Sequence, residues 1–195
     1  MNRLALLTLL AAGCSRPISN PPPEPPKYTP QPLTGALVVG DKLPPLQVAG
    51  WLNGPPPAPG SGGVKLLLVD VWAQWCPFCR QGVPGLLRLH KQYADRGVAF
   101  VSVSNMAKWE VESFLEHFPI PWASGYNMPT EMLPLFGASS GMQMEGYAVA
   151  PVVYLVGADG KIVWNDNQSR YRHKDAKAWE QELDAAIEAA LGKNP

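Results

Sequence analysis

Residues 64–80 read VKLLLVDVWAQWCPFCR, and this stretch decides the fold. Val64 to Trp72 is an apolar run with one acid, Asp70, inside it. Such a run predicts a strand buried on both faces, as at the centre of an α/β sheet. A helix is predicted to follow from about Pro77 to Asp95. Cys76 and Cys79 therefore lie between a buried strand and the start of a helix.

The rest of the chain predicts an α/β layer fold around this unit. Strands are predicted at 97–104, 152–156 and 161–164, and helices at 107–118, 130–136 and 174–191. Gly157-Ala158-Asp159-Gly160 is a turn signal, so the last two strands form a hairpin. The final helix carries an apolar stripe with its glutamates opposite. This order predicts a mixed central β-sheet flanked by helices, in a domain spanning 34–195.

The two cysteines have the spacing of a redox-active dithiol. A helix amino terminus offers unpaired N–H groups and a partial positive charge, which favour the thiolate that attacks disulfides. Pro77 suits the first helical turn, where its missing N–H costs nothing. The pattern indicates reversible exchange in which Cys76 attacks and Cys79 resolves the mixed disulfide. The alternative is half of a zinc site, but a structural site needs four ligands and the sequence has no second cysteine pair.

Residues 64–84 resemble the active-site strand and helix of thioredoxin-fold proteins. More loosely, the whole domain resembles the TlpA/ResA-like thiol–disulfide oxidoreductases. The resemblance implies a thioredoxin-like fold with an inserted helix and strand before a cis-proline, the strand being supplied by Ile120-Pro121-Trp122. It also implies that Asp70 is a buried acid beneath the resolving cysteine. A buried carboxyl has a raised pKa suited to passing protons, whereas the alternative is a strand-edge acid exposed to water.

The resemblance further assigns contacts with a protein substrate. Trp75, Pro77 and Phe78 would lie beside the dithiol, and Pro151 would be the cis-proline facing it. A cis bond there turns the backbone of Ala150 toward the substrate chain and offers it strand-like hydrogen bonds. The alternative is an ordinary trans proline at the start of a strand. Four methionines before it (Met128, Met132, Met142 and Met144) predict either a substrate groove or ordinary packing.

The amino terminus has the parts of an export signal followed by a spacer. Residues 1–13 combine one positive charge with a short apolar stretch. They end at Ala11-Ala12-Gly13, which together with Cys14 resembles a bacterial lipobox. Cys14 would then carry a lipid and hold the protein at a membrane surface, whereas the alternative is an ordinary signal with a stray cysteine. Residues 14–33 are rich in proline and predict an extended tether. We therefore expect an exported, lipid-anchored protein on the periplasmic or cell-surface side.

Composition excludes several other classes of protein. Sixteen basic residues balance 16 acidic ones at a sequence pI of 6.8, which excludes a strongly basic nucleic-acid binder. A hydrophobic fraction of 46% argues against global disorder. Three cysteines cannot build a disulfide scaffold.

These observations predict a membrane-tethered thiol–disulfide oxidoreductase that needs no cofactor. Its partners would be protein thiols or disulfides and a membrane electron donor, and the resemblance favours reduction, for example of apocytochromes before haem attachment. The alternative is a copper chaperone of the SCO type, using both cysteines and the distant His173. That family spaces its cysteines three apart, whereas this chain spaces them two apart. A peroxiredoxin-like peroxidase is disfavoured because Cys76 lacks the Thr-x-x-Cys context.

Overall fold

The structure is a computed structural model that describes residues 36–137, 152–166 and 175–193. Several sequence predictions fall outside these ranges. They concern the signal at 1–13, the tether at 14–33, Cys14, Ala150, Pro151, His173, Met142 and Met144.

Among the described residues, six strands form one sheet, and this sheet is mixed, as predicted. They are β1 (Gly50–Leu52), β2 (Leu66–Val71), β3 (Val98–Val103), β4 (Ala123–Tyr126), β5 (Val152–Gly157) and β6 (Ile162–Asn165). Their order across the sheet is β1-β4-β3-β2-β5-β6. The central strand β2 pairs in parallel with β3 and antiparallel with β5. All six of its residues are buried, which confirms a strand covered on both faces.

In the part of the chain that the structure describes, three α-helices and two 3-10 helices accompany the sheet. The α-helices are α1 (Pro77–Tyr93), α2 (Lys108–His117) and α3 (Ala176–Lys193), and the 3-10 helices are Ala94–Arg96 and Thr130–Phe136. The predicted short helix at 130–136 is therefore a tighter 3-10 helix, with Pro134 inside it. The hairpin between β5 and β6 has the predicted turn, in which the N–H of Gly160 donates to the carbonyl of Gly157 at 2.9 Å.

The prediction of a strand at residues 120–122 is wrong about its position. The strand that follows α2 is β4, and it begins at Ala123. Pro121 has no N–H to donate to a ladder, so pairing starts beyond it. β4 lies inside the sheet between β1 and β3, and the pairing of β1 with β4 was not predicted. Gly125 makes room for β1 and the residues before it, because a Cβ there would lie 3.0 Å from Cζ3 of Trp51 and 2.8 Å from Cγ1 of Val48.

Polar side chains join the two long helices. The pairs are Arg88 with Glu180, Gln92 with Asp184, and, from the 3-10 helix that continues α1, Arg96 with Glu188. Each pair has the same sequence separation of 92, so α1 and α3 run side by side in the same direction. The apolar stripe of α3 is buried as predicted, through Trp179, Leu183 and Ile187. Glu180 binds Arg88 of α1, and Glu188 binds Arg96 of the 3-10 helix that follows α1. Glu188 is exposed, in line with the expectation that the glutamates lie opposite the stripe, whereas the side chain of Glu180 is only 17% exposed.

Candidate active site

The dithiol lies where the central strand passes into α1. β2 ends at Val71, and the N–H of Trp72 still donates to the carbonyl of Val103 on β3 at 3.1 Å. A turn follows in which the N–H of Cys76 donates to the carbonyl of Ala73 at 3.1 Å. Pro77 occupies the first turn of α1, where its fixed φ angle favours the helix. The first cysteine is thereby placed at the amino terminus of α1 as its N-cap.

The two cysteines are held against each other by the helix start. The backbone N–H of Cys79 donates to Sγ of Cys76 at 3.3 Å, so the sulfur takes the role that a serine or aspartate oxygen has in most N-caps. Both side chains are buried, with exposed fractions of 0% for Cys76 and 2% for Cys79. A negative charge on Cys76 would accept this hydrogen bond and face the positive end of the helix. The geometry therefore supports the thiolate of Cys76 as the attacking group.

Asp70 is buried beneath α1, with an exposed fraction of 4%. On β3, Phe100 contacts the ring of His90 on α1, with the ring centroids 5.1 Å apart. Side chains alternate along a strand, so Ser102 faces α1 as well, and Asp70 is its partner across the parallel pairing. The acid thus lies on the face covered by the helix that carries both cysteines. This burial excludes the alternative of a strand-edge acid, while the proton-transfer role stays a prediction.

Ser102 is part of the site's surroundings and was not predicted from the sequence. Its Oγ accepts a hydrogen bond from Nε1 of Trp122 at 2.7 Å, and the serine is fully buried. The Ser102 side chain is fixed on the same face as Asp70 by a tryptophan 20 residues further along. A serine inside the apolar run VAFVSV is the only sign of this arrangement in the sequence.

The predicted substrate contacts differ in exposure. Pro77 is exposed at the start of α1, while Trp75 and Phe78 are half-buried and pack against the core. Trp72 is buried as expected and lies on Phe114 of α2, with the ring centroids 4.2 Å apart. Of the three predicted contacts, Pro77 is therefore the most exposed, and their role in substrate binding stays a prediction.

The remaining candidates play smaller parts in the described structure. Met128 is buried and Met132 partly so, which is packing in both cases. His90 is half-buried between Phe100 and Trp122, and this burial lowers its pKa. Among the described residues, no group of three or more His, Cys, Asp or Glu side chains is arranged to hold a metal ion. No helix in the described ranges is long and apolar enough to cross a membrane.

A central strand that delivers a Cys-x-x-Cys pair to the start of a helix, on a mixed sheet, defines the thioredoxin-like fold. Solved structures agree with this assignment. A thiol:disulfide interchange protein DsbE from Chlorobium tepidum superimposes with a TM-score of 0.57 at 24% identity, over 80% of this chain and 99% of that one. The solution structure of a thioredoxin-like protein in the oxidized form gives 0.60 at 16% identity, over 80% and 98%.

The family follows from the sequence comparison. The chain belongs to the Redoxin family, whose model matches residues 58–183. The thiol:disulfide interchange protein DsbE of Allochromatium vinosum is 27% identical over 136 residues, or 67% of this chain. That match covers 65% of the relative's own length.

Proposed function

We propose that the protein is a thiol–disulfide oxidoreductase that exchanges disulfides with protein substrates. The hydrogen bond from the N–H of Cys79 to Sγ of Cys76, at the start of α1, carries this proposal. It places two sulfurs within one helical turn and supports a negative charge on the first. The names of the similar proteins, thiol:disulfide interchange protein among them, point to the same chemistry. They do not favour the copper-chaperone alternative.

The reaction proceeds in two exchanges. The thiolate of Cys76 attacks one sulfur of a substrate disulfide, and the other substrate sulfur leaves as a thiolate that takes up a proton. Cys79 then loses its proton, and its sulfur attacks Sγ of Cys76. The bond to the substrate breaks, and the second substrate sulfur leaves as a thiol. The substrate has gained two electrons, and the protein holds a Cys76–Cys79 disulfide.

Asp70 is the proposed base for the second exchange. It is buried on the sheet face beneath α1, so a carboxylate there can receive the proton that Cys79 must lose. General acid–base assistance of this kind contributes about 10²-fold or more to a rate. Trp75, Pro77 and Phe78 are the proposed contacts for the substrate chain, joined by the backbone of Ala150 and a cis bond at Pro151.

The physiological direction that we propose is reduction, in the manner of the TlpA/ResA-like subfamily. The disulfide left after each turnover would then be reduced again by a membrane thiol–disulfide electron donor. Proteins whose cysteines must be reduced before use, such as apocytochromes before haem attachment, are suitable substrates. Equilibration with glutathione redox buffers tests the direction: a potential near about −270 mV is expected, and one near about −120 mV would indicate an oxidant.

The proposed location is the periplasmic or cell-surface side of a bacterial membrane. Residues 1–13 would direct export, a lipid on Cys14 would anchor the chain, and residues 14–33 would space the domain, 34–195, from the bilayer. Mass spectrometry of the membrane fraction is expected to show the lipid on Cys14. Cys14→Ser should release the protein from that fraction.

Reduction of insulin disulfides in solution tests the activity itself. Cys76→Ser is expected to abolish the reaction, and Cys79→Ser is expected to accumulate mixed disulfides with substrate. Cys14→Ser is the matched control, because it removes a cysteine that the mechanism does not use and should leave the rate unchanged. Activity that survives in Cys76→Ser would refute the proposed mechanism.

A further inference from the structure

Arg80 is an exposed cation on α1 that directly follows the resolving cysteine. Its backbone N–H donates to the carbonyl of Cys76 at 3.3 Å, so the two residues lie one helical turn apart on the same side of α1. One turn corresponds to about 5.4 Å along the helix axis. Side chains of a helix lean toward its amino terminus, which here is the end that carries Cys76. The arginine therefore belongs to the immediate surroundings of the nucleophile.

A row of aromatic rings holds the guanidinium group of Arg80. Its central carbon, Cζ, lies over the ring of Phe118, at the end of α2, 5.8 Å from the ring centroid. Phe118 contacts Phe114 with the ring centroids 4.8 Å apart, and Phe114 contacts Trp72 at 4.2 Å. Trp72 directly follows β2, so the row starts from the strand that leads to the dithiol. Because an aromatic face attracts a cation, the charge of Arg80 has a defined position.

No acid of the described structure neutralises this charge. The arginines further along, Arg88 and Arg96, each bind a glutamate of α3. Across the ranges that the structure covers, Arg80 belongs to no ion pair. The first turn of α1 contains no acidic residue either. The partial positive charge of the helix start and the full charge of the guanidinium therefore act together beside the dithiol.

The three glutamates of α2 do not neutralise Arg80. Glu110 accepts the N–H of the residue before the helix, and Glu112 pairs with Lys108. Glu116 is two residues from Phe118, and side chains two residues apart on a helix do not face each other. The five N–H donors of the guanidinium are therefore available to a partner from outside the described chain.

We propose that Arg80, placed by Phe118, is a specificity-determining residue that binds an acidic side chain beside the disulfide of a protein substrate. A guanidinium binds a carboxylate through two parallel hydrogen bonds, which gives the contact a defined geometry. The substrate disulfide must reach Sγ of Cys76, so the residues that flank it come within about one helical turn of Arg80. The substrate class is then proteins with aspartate or glutamate next to the reducible disulfide, an inference that rests on the proposed function.

Oxidation of the reduced full chain by disulfide peptides, in a Cys14→Ser background, tests the preference. Two peptides with an internal disulfide differ only in carrying glutamate or glutamine beside their cysteines. We expect the second-order rate constant to be about three- to fivefold larger for the glutamate peptide at about 0.01 M salt. The ratio of the two rate constants should approach one at about 1 M salt, because exposed charges are then screened.

Three variants locate the source of this ratio. Arg80→Gln should make the two rate constants equal. Phe118→Leu keeps the charge but removes the ring that places it, so the ratio should fall. Lys91→Gln is the matched control, because it removes an exposed cation from α1 about three turns further on, and it should keep the ratio.

Four results would overturn the proposal. The wild-type chain oxidises equally fast with both peptides, the ratio persists in Arg80→Gln, or Lys91→Gln removes the ratio as well. The fourth is an Arg80→Gln variant that slows both peptides by the same factor, which would mean that the arginine acts on the thiol of Cys76 and not on the substrate. Failure of the proposed function is distinct, since the wild-type chain would then reduce neither peptide nor insulin.

Discussion

Asp70 and Ser102 stand opposite each other in the parallel pairing of β2 and β3, on the face covered by α1. The serine is held by the indole of Trp122, and the acid lies beneath the helix that carries the dithiol. The acid is thus enclosed between the sheet and the helix that carries the two cysteines.

Asp70→Asn tests whether this acid assists the chemistry. The variant keeps the shape of the side chain and removes its capacity to accept a proton. We expect the resolving step to slow by about 10²-fold at neutral pH, and the pH dependence of the rate to flatten. Stopped-flow measurement of mixed-disulfide breakdown gives the rate. Asp95→Asn, an exposed acid just beyond α1, is the control and should behave as wild type. An unchanged rate in Asp70→Asn would remove the acid from the mechanism.

The N-cap position of Cys76 predicts unequal reactivity of the two thiols. In a Cys14→Ser background, Cys79→Ala leaves only Cys76, and Cys76→Ala leaves only Cys79. Because the helix start stabilises a negative charge on the first sulfur, we expect Cys76 to be alkylated by iodoacetamide about tenfold faster at pH 6.5. The exposed fractions of the two side chains are nearly equal, so access alone should not separate them. Equal rates would contradict the assignment of Cys76 as the nucleophile.

The pairs between α1 and α3 predict a loss of stability in acid. Hydrogen bonds from Arg96 and then Tyr93 lower the pKa of Glu188 to about 2, and Arg88 lowers the pKa of Glu180. A carboxyl whose pKa is lower in the folded state than in the unfolded state stabilises the fold at every pH above the unfolded pKa. For a glutamate this unfolded pKa is 4.5. This contribution is lost as the pH falls from 4.5 toward 2, so the urea midpoint should fall across that window.

Glu188→Gln checks the source of this acid sensitivity. The variant should be less stable than wild type at pH 6, and the difference should shrink as the pH approaches 2. Glu112→Gln is the control, because Glu112 forms only an exposed pair with Lys108, at 3.4 Å within α2. A pH profile that is the same in Glu188→Gln and wild type would place the acid sensitivity elsewhere.

Two glycine-to-alanine changes are expected to have opposite effects. At Gly125 a Cβ would meet Cγ1 of Val48 at 2.8 Å and Cζ3 of Trp51 at 3.0 Å, so Gly125→Ala should destabilise the fold by about 1–3 kcal/mol. At Gly192 on α3 no atom lies within 4 Å, so Gly192→Ala should stabilise it by up to about 1 kcal/mol. Urea unfolding of both variants measures the difference. A neutral Gly125→Ala would show that β1 can move away from β4.

The elements that the sequence predicts correctly are those whose residues are close together along the chain. An apolar run with Pro77 at the following helix start suffices to place β2 and α1, since both depend on neighbouring residues. β4 reads Ala-Ser-Gly-Tyr, with no alternation and no β-branched residue, so nothing local marks it as a strand. Its place in the sheet comes from pairing with β1 and β3, which are distant in sequence.

In the candidate site, too, only the features with a local sequence pattern could be predicted. The spacing of the two cysteines predicts a dithiol, and the apolar residues around Asp70 predict its burial. The contact between Ser102 and Trp122 depends on packing beneath α1 and has no local pattern. The pairing of Glu180 and Glu188 with arginines is equally non-local, because on a helical periodicity alone both glutamates read as solvent-facing residues.

The separation of 92 between the partners of α1 and α3 has a consequence for the order in which the molecule is assembled. The helix that carries the thiols is synthesised long before the helix that covers it. The partners of α3 lie in the second half of α1, at Arg88 and Gln92, so this half of the helix is completed only by residues 176–193. A chain cut before Ala176 would leave both side chains without their partners. The long helix pair therefore forms last, after every strand of the sheet has been synthesised.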